Sequence, residues 1–176
     1  MFLRAARDIG LMEYVVVRLA AVTGMRRSEL VALRRRHIRF DEAEITIEIG
    51  EIAIPGVHRS RRVETDTKTG HGGTLGLDAQ TLSALAELFA EQDGLAAECG
   101  ETVGSDGYIL SSEVGCARGL HPDTLTNLAT RLSKTLPHGV KIRLKDLRTY
   151  VGSAPMDLGA AAVMGASLRL TAFSCP

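Results

Sequence analysis

The chain has 176 residues, of which 45% are hydrophobic and 24% charged, so it can bury a sizeable core and is not a disordered polypeptide. Its formal net charge is zero, with 21 basic and 21 acidic residues, which excludes a protein that holds nucleic acid by overall charge alone. Three cysteines without paired or Cys/His spacing indicate neither a disulfide framework nor a metal site, and no uncharged run is long enough for a membrane span. We expect one cytoplasmic domain with no membrane partner.

Two helices are predicted near the start of the chain. Hydrophobic residues from Leu11 to Val22 recur with helical spacing, and Gly24 follows where a left-handed C-cap residue belongs. A second helix is predicted from near Arg26 to just before Phe40. Arg26 would then stand at a helix N-terminus, where partial positive charge and unpaired N–H groups help to hold a phosphate.

A small antiparallel sheet is predicted next. Alternating hydrophobic and polar residues from Glu44 to Ile54 are typical of a half-buried strand, and a Pro-Gly turn ends it. Residues 61–67 and 73–77 predict two further short strands, joined by a glycine-containing turn. That turn carries Lys68 at the tip of a hairpin.

The remaining elements are mainly helical. Asp78 is a suitable N-cap for a helix that ends near Gly94 or Gly100. Pro122 opens another helix, whose inner face is expected to carry Leu125, Leu128, Ala129 and Leu132. Between them we predict a buried segment at residues 108–110, followed by a surface loop. The predicted fold class is therefore α+β, mainly helical, with a small antiparallel three-stranded sheet on one edge.

Arginines are concentrated in two stretches, whereas acidic residues gather elsewhere, around residues 87–101. For any single cluster, a DNA-binding surface and an ordinary solvated charged face are equally good interpretations. The candidate DNA-binding residues are Arg27, Arg59, Arg61, Arg62 and His71.

Three segments, in order, resemble the catalytic domain of the tyrosine recombinase, or phage integrase, family. Residues 23–33 (TGMRRSELVAL) match the family's Thr-Gly-x-Arg-x-x-Glu-Leu box, and residues 66–70 (DTKTG) resemble its Thr-Lys-Thr turn. Residues 145–148 (KDLR) resemble its His-x-x-Arg box, with lysine in the histidine place. The resemblance covers nearly the whole sequence and implies one integrase-like catalytic domain over residues 1–176.

The resemblance also implies roles for individual residues. Arg26 and Arg148 would grip the non-bridging oxygens of the scissile phosphate, and Glu29 would orient Arg26. Lys68 would protonate the departing sugar oxygen, and Lys145 would position the phosphate or shuttle a proton. Double-stranded DNA is the implied partner, with a homo-oligomer on DNA as a further possibility, and neither a metal nor another cofactor is implied. The alternatives are a surface helix arginine for Arg26, a solvated hairpin lysine for Lys68 and an ordinary helix-flanking lysine for Lys145.

The sequence departs from the family after its last box. Residues 164–174 resemble the family's tyrosine segment, but the tyrosine position falls at Phe173 or Ser174, and no tyrosine follows Tyr150. We therefore assign no nucleophile and expect impaired strand cleavage. The family's N-terminal core-binding domain has no counterpart here, and residues 155–176 are atypical, so we expect a truncated or decayed domain with poor order there.

Two alternatives remain open. A non-enzymatic DNA-binding module could use residues 20–36 like a helix-turn-helix, in which case Arg34 to Arg36 would matter most. An inactive interaction domain is the other alternative.

Overall fold

The computed structural model describes residues 2–47 and 73–135, together with Arg143, Leu144 and Asp146. Within these ranges the helices are α1 (Phe2–Ile9), α2 (Leu11–Thr23), α3 (Arg27–Ala32), α4 (Ala79–Glu98) and α5 (Pro122–Thr135). The strands are β1 (Ile38–Arg39), β2 (Glu44–Ile47) and β3 (Gly73–Gly76), and short 3-10 helices lie at Arg35–His37 and Val114–Cys116. The predictions for residues 48–72, Lys145 and 147–176 lie outside the described residues.

Helix α2 is the centre of the hydrophobic core. Consecutive residues from Val15 to Ala20 are buried, as expected of a helix that is covered on all sides, and α2 packs against both α1 and α4. Gly24 ends α2 in the left-handed conformation, with φ 64°, and its N–H donates to the carbonyl of Ala20 at 3.2 Å. The predicted helix and its glycine C-cap are both confirmed. Helix α1, by contrast, is an element that the sequence analysis did not predict.

Helix α3 is shorter than predicted. The second helix was expected to run almost to Phe40, but it ends at Ala32, and Leu33 is extended. The reason is tertiary, because the Leu33 carbonyl accepts a hydrogen bond from the backbone N–H of Ile109 at 3.0 Å. Next to it, Arg34 pairs with Tyr108 in an isolated β-bridge. This pairing requires an extended backbone, so the helix cannot continue.

The described part of the chain contains a three-stranded antiparallel sheet in the order β1-β2-β3. Ile45 of β2 is fully buried and faces Ile38 on one side and Leu75 on the other. The predicted fold class is confirmed. Strand β1 lies at residues that we expected to be helical, and the strand predicted at residues 61–67 lies outside the described residues. Because Ile47 pairs with Gly73, the two residues that flank segment 48–72 lie side by side.

The later helices follow their sequence signals. Asp78 caps α4 as predicted, and α4 continues through Gly94 to Glu98. Helix α5 begins at Pro122 and buries the four residues expected on its inner face, Leu125, Leu128, Ala129 and Leu132. The segment expected as a surface loop is partly internal, because Cys116 is buried within it. No helix in the described ranges has the length and apolar character needed to cross a membrane.

Candidate phosphate-binding site

The turn between α2 and α3 fixes where the first candidate cation leaves the core. The Thr23 hydroxyl donates to the carbonyl of Leu19 at 2.6 Å and accepts from the backbone N–H of Met25 at 3.2 Å. Gly24 supplies the left-handed conformation between them, and the Met25 side chain is buried. Arg26 therefore emerges from a turn whose preceding residues are all held in place.

Arg26 is the N-cap residue of α3 and is held by Glu29. One oxygen of the Glu29 carboxylate accepts from the Arg26 backbone N–H at 2.6 Å, and the other accepts from Nη1 at 3.0 Å. The first bond is half of a capping box; the second orients the guanidinium. The Arg26 side chain remains 52% exposed, so a solvent-borne anion can reach it.

The N-terminus of α3 contributes less to a phosphate site than the sequence analysis predicted. Arg26 stands at a helix N-terminus as predicted, as the N-cap residue of α3, but its backbone N–H is already used by Glu29. Helix α3 also has only six residues, so its dipole is short. The group that Arg26 itself offers to a phosphate is therefore the guanidinium.

Arg27, a predicted DNA-binding residue, reaches across to α5. Its Nη1 donates to the Thr126 hydroxyl at 2.5 Å and lies 3.4 Å from a carboxylate oxygen of Asp123. The Arg27 side chain is 47% exposed. It thus ties α3 to the beginning of α5 while leaving part of its guanidinium at the surface next to Arg26.

The arginines that follow α3 point back into the protein. The Arg34 guanidinium lies 4.1 Å from the centroid of the Tyr108 ring and donates to the Tyr108 hydroxyl at 2.8 Å. Arg35 lies 4.5 Å from the Phe89 ring centroid and pairs with Asp93 at 2.6 Å. Both guanidinium groups are therefore engaged mainly in contacts with α4 and with the segment around Tyr108.

Of the second arginine-bearing box, residues 145–148, the structure describes only Asp146, together with Arg143 and Leu144 just before it. Asp146 accepts from the Arg143 backbone N–H at 2.9 Å and from its Nε at 3.3 Å, and Leu144 packs against the hydrophobic core. The remaining predicted site residues lie outside the described residues: Lys68, Lys145, Arg148, Arg59, Arg61, Arg62 and His71.

One internal polar cluster was missed by the sequence analysis. Arg18 of α2 is only 4% exposed, and its guanidinium pairs with Asp78 at 2.5 Å. The available signal was an arginine in the middle of an apolar helix, but nothing local identified its partner. Across the ranges that the structure covers, no group of three or more His, Cys, Asp or Glu side chains could hold a metal ion.

Comparison with known proteins gives matches among solved structures only; no protein-family model and no curated protein matches the chain. The chain is similar to XerA recombinase, with a TM-score of 0.60, 17% identity, and coverage of 85% of this chain and 45% of that one. It is also similar to the Tn1549 transposon integrase in complex with transposon right end DNA, with a TM-score of 0.62 and 12% identity over 85% of this chain and 48% of that one.

A second Tn1549 integrase structure, in complex with a circular intermediate DNA, matches with a TM-score of 0.60 and 14% identity, over 85% of this chain and 48% of that one. The chain thus spans about half the length of each of these three solved structures. At these identities the likeness concerns the fold. The chain shares the mainly helical fold, with its small antiparallel sheet, of these recombinases and integrases.

Proposed function

We propose that the chain binds double-stranded DNA through its phosphates, as a recombinase-type catalytic domain that is impaired in strand cleavage. Arg26 is the anchoring cation, and Lys68, Lys145 and Arg148 are the further cations of the same clamp. The observation that carries the proposal is the exposed Arg26 guanidinium, held by Glu29 at a fixed turn, in a fold shared with integrases solved on DNA.

The arrangement around Arg26 suits a phosphate. A guanidinium presents five donors in a planar fork, and Glu29 accepts from Nη1 alone while the side chain is 52% exposed, so donors remain for an anion. Charge-assisted bonds to phosphate oxygens are among the stronger hydrogen bonds in proteins. Because Glu29 holds the group before DNA arrives, less side-chain entropy is lost on binding.

The described scaffold supports the other members of the clamp indirectly. Lys68 belongs to the connection between β2 and β3, whose ends are held together by the Ile47–Gly73 pair. Lys145 and Arg148 follow Leu144, which packs against the same core as α2. Both segments are thus joined, along the chain, to the folded core that also carries Arg26.

Impaired cleavage follows from the chemistry at the position that matches the family's nucleophile. Phe173 has no nucleophilic atom, and Ser174 carries a hydroxyl that is shorter and far less acidic than a phenol. A covalent route needs an activated attacking oxygen, whereas phosphate binding needs only the cations. Binding can therefore persist where cleavage does not.

The contacts of the arginines after α3 favour this proposal over the helix-turn-helix alternative. Arg34 and Arg35 are engaged with Tyr108 and Asp93, and Arg36 pairs with Asp106. A recognition helix needs side chains that are free to reach base edges in the major groove. Helix α3, with six residues, is also short for that task.

DNA binding is tested with Arg26→Ala against a charge-matched control, Arg7→Ala. Both arginines are exposed and paired with a carboxylate, Arg7 with Glu87, but Arg7 lies on α1. By fluorescence anisotropy with a labelled duplex, Arg26→Ala should weaken binding by about tenfold or more, as for a lost charge-assisted bond. It should also reduce the slope of log affinity against log salt concentration by roughly 0.9. Equal affinity of the two variants would overturn the proposal.

Cleavage is tested separately with a nicked suicide DNA substrate. After incubation, the protein is run on a denaturing gel, where a covalent protein–DNA adduct migrates more slowly than the free chain. We expect no adduct. A clear adduct would contradict the impaired-cleavage part of the proposal and leave the DNA-binding part standing.

A further inference from the structure

Three helices border a cavity of about 690 Å³. The lining residues of each helix include pairs that are three or four positions apart: Arg4 and Arg7 of α1, Tyr14 and Arg18 of α2, and Gln80 and Ala84 of α4. Residues at this spacing share one face of a helix, so each helix turns one face to the cavity. Small-molecule sites in proteins typically enclose roughly 300–1,000 Å³, so the space is large enough for an organic ligand.

Arg18 is the buried polar residue of this lining, with 4% exposure, and it decides which polar atoms its neighbours can offer. A guanidinium only donates hydrogen bonds. Its Nη1 donates to Oε1 of Gln80 at 2.9 Å and to the Tyr14 hydroxyl oxygen at 3.3 Å. The Gln80 amide N–H groups and the Tyr14 O–H hydrogen therefore remain as donors, and neither finds an acceptor among the described residues. Arg18 thus makes donors of two other lining residues.

Helix α1 adds two guanidinium groups with unused donors. Both oxygens of Glu87 accept from Nη2 of Arg7, at 2.6 and 2.8 Å, so Nε and Nη1 of Arg7 have no partner in the part of the chain that the structure describes. The Arg7 guanidinium also lies 5.2 Å from the centroid of the Tyr14 ring. Arg4 is exposed and makes no hydrogen bond or ion pair with any described residue. Both arginines can therefore bind an anion in the cavity.

The charges of the lining also favour an anion. It contains two carboxylates, of Asp8 and Glu87, against three guanidinium groups. Glu87 is already bound to Arg7 through both oxygens, and the Asp78 carboxylate, which caps α4, also pairs with Arg18. Leu3 and Ala84 give the lining apolar surface. A concave surface with convergent donors and some apolar lining suits a small organic molecule that carries an oxyanion.

We propose that this cavity binds a small organic oxyanion, either a phosphate monoester or a carboxylate. Arg4 and Arg7 hold the charged group, and Gln80 and Tyr14 donate to it as uncharged partners. The cavity is distinct from the candidate phosphate-binding site, because Arg26 follows the C-terminal end of α2 and is not among the lining residues. The inference therefore does not depend on DNA binding.

The test is isothermal titration calorimetry with three probes that share one ring: phenyl phosphate, benzoate and the uncharged benzamide. We expect at least one of the two anions to bind with a Kd of about 1 mM or tighter, and benzamide to bind at least about tenfold more weakly. Tighter binding of phenyl phosphate identifies a phosphate ester as the ligand class, and tighter binding of benzoate identifies a carboxylate. Binding of neither anion, or equal binding of benzamide, would overturn the proposal.

Variants locate the bound probe. Arg7→Ala should weaken binding by about tenfold or more, as for a lost charge-assisted bond. Gln80→Glu, which is nearly isosteric, should do the same because it turns a donor into an acceptor. Glu87→Gln should strengthen binding by about threefold, because it releases Nη2 of Arg7 from a carboxylate. Arg118→Ala is the matched control, since Arg118 is an exposed arginine paired with Glu113 outside the cavity lining, and it should leave the affinity unchanged.

Two further measurements separate the cavity from a DNA-binding surface. If Arg26→Ala abolishes probe binding and Arg7→Ala does not, the probe occupies the candidate phosphate-binding site and the cavity proposal fails. A saturating DNA duplex should not displace the probe, and displacement would assign the cavity to the DNA surface instead. Circular dichroism of each variant confirms that a loss of binding is not a loss of fold. Equal effects of Arg7→Ala and Arg118→Ala would also contradict the proposal.

Discussion

Glu29 holds Arg26 at two points, the backbone N–H and the guanidinium, so that one carboxylate sets both the start of α3 and the direction of its cap residue. Asp146 of the second box likewise accepts from the backbone N–H and the Nε of Arg143, which precedes that box. In both segments an arginine precedes a turn whose carboxylate, three residues later, reaches back to it. Each box thus contains a carboxylate that fixes an exposed arginine three residues before it.

Replacing Glu29 should separate these two roles. Glu29→Ala removes both bonds and should lower the free energy of unfolding by about 0.5–1 kcal/mol, in the range of lost capping interactions. Glu29→Gln can still accept from the backbone N–H, so its loss of stability should be smaller. Urea titration monitored by circular dichroism measures both. Equal stabilities of the two variants would show that the capping bond contributes nothing.

Two glycines should respond in opposite directions to alanine. A Cβ at Gly119 would lie 2.6 Å from the carbonyl oxygen of Val31 and 2.9 Å from the Tyr108 ring, so the backbone must shift, at roughly 1–3 kcal/mol. A Cβ at Gly94, inside α4, would meet nothing within 4 Å. Gly94→Ala should therefore stabilise the protein by about 0.5–1 kcal/mol. Thermal unfolding of both variants checks the signs, and destabilisation by Gly94→Ala would contradict the described packing of α4.

Arg35→Met should cost stability without weakening DNA binding. The Arg35 side chain is 10% exposed, stacks on Phe89 and pairs with Asp93, so its truncation should lower the free energy of unfolding by about 1–3 kcal/mol. DNA affinity, measured well below the melting temperature, should remain unchanged. Reduced affinity of the folded variant would support the helix-turn-helix alternative instead.

The two described cysteines should differ in reactivity. Burial raises the pKa of the Cys116 thiol above its ordinary value, whereas Cys99 is exposed at the end of α4. Less thiolate and less access both slow alkylation, since the thiolate is the nucleophile. Brief iodoacetamide treatment near pH 8, followed by peptide mass spectrometry, should label Cys99 far more than Cys116 in the native protein. The denatured protein is the matched control, in which Cys99 and Cys116 should be labelled equally.

The same shift predicts a pH dependence of stability. Because the folded pKa of Cys116 lies above the unfolded value, the folded state retains the proton longer, and stability falls as pH rises above about 8.5. The contribution cannot exceed a slope of roughly 1.4 kcal/mol per pH unit for one proton. Cys116→Ala should flatten this part of the profile in urea titrations; an unchanged slope would assign it to other groups.

Local signals made much of the fold predictable. Gly24 ends α2 through a left-handed C-cap, and Asp78 begins α4 through an N-cap carboxylate. Both were predictable because each residue acts on its own neighbours in the sequence. Helix α5 was predicted because its inner face follows a clear helical period from Leu125 onward. These features need no knowledge of the rest of the chain.

Elements that depend on distant partners were not predictable in this way. The early end of α3 follows from the bond between Leu33 and Ile109, and β1 exists because Ile38 pairs with Ile45. For the candidate site, the motif gave Arg26 and Glu29 but not the Arg18 pair, whose partners are 60 residues apart along the chain.

The shared carboxylate of Asp78 also bears on how the protein folds. When α4 leaves α2, Arg18 loses its counter-charge, and the first turn of α4 loses the arrangement that holds its cap. Undocking and fraying of this 20-residue helix should therefore occur as one cooperative event. Its amides should accordingly exchange hydrogen together with those of α2, in a single late-opening unit.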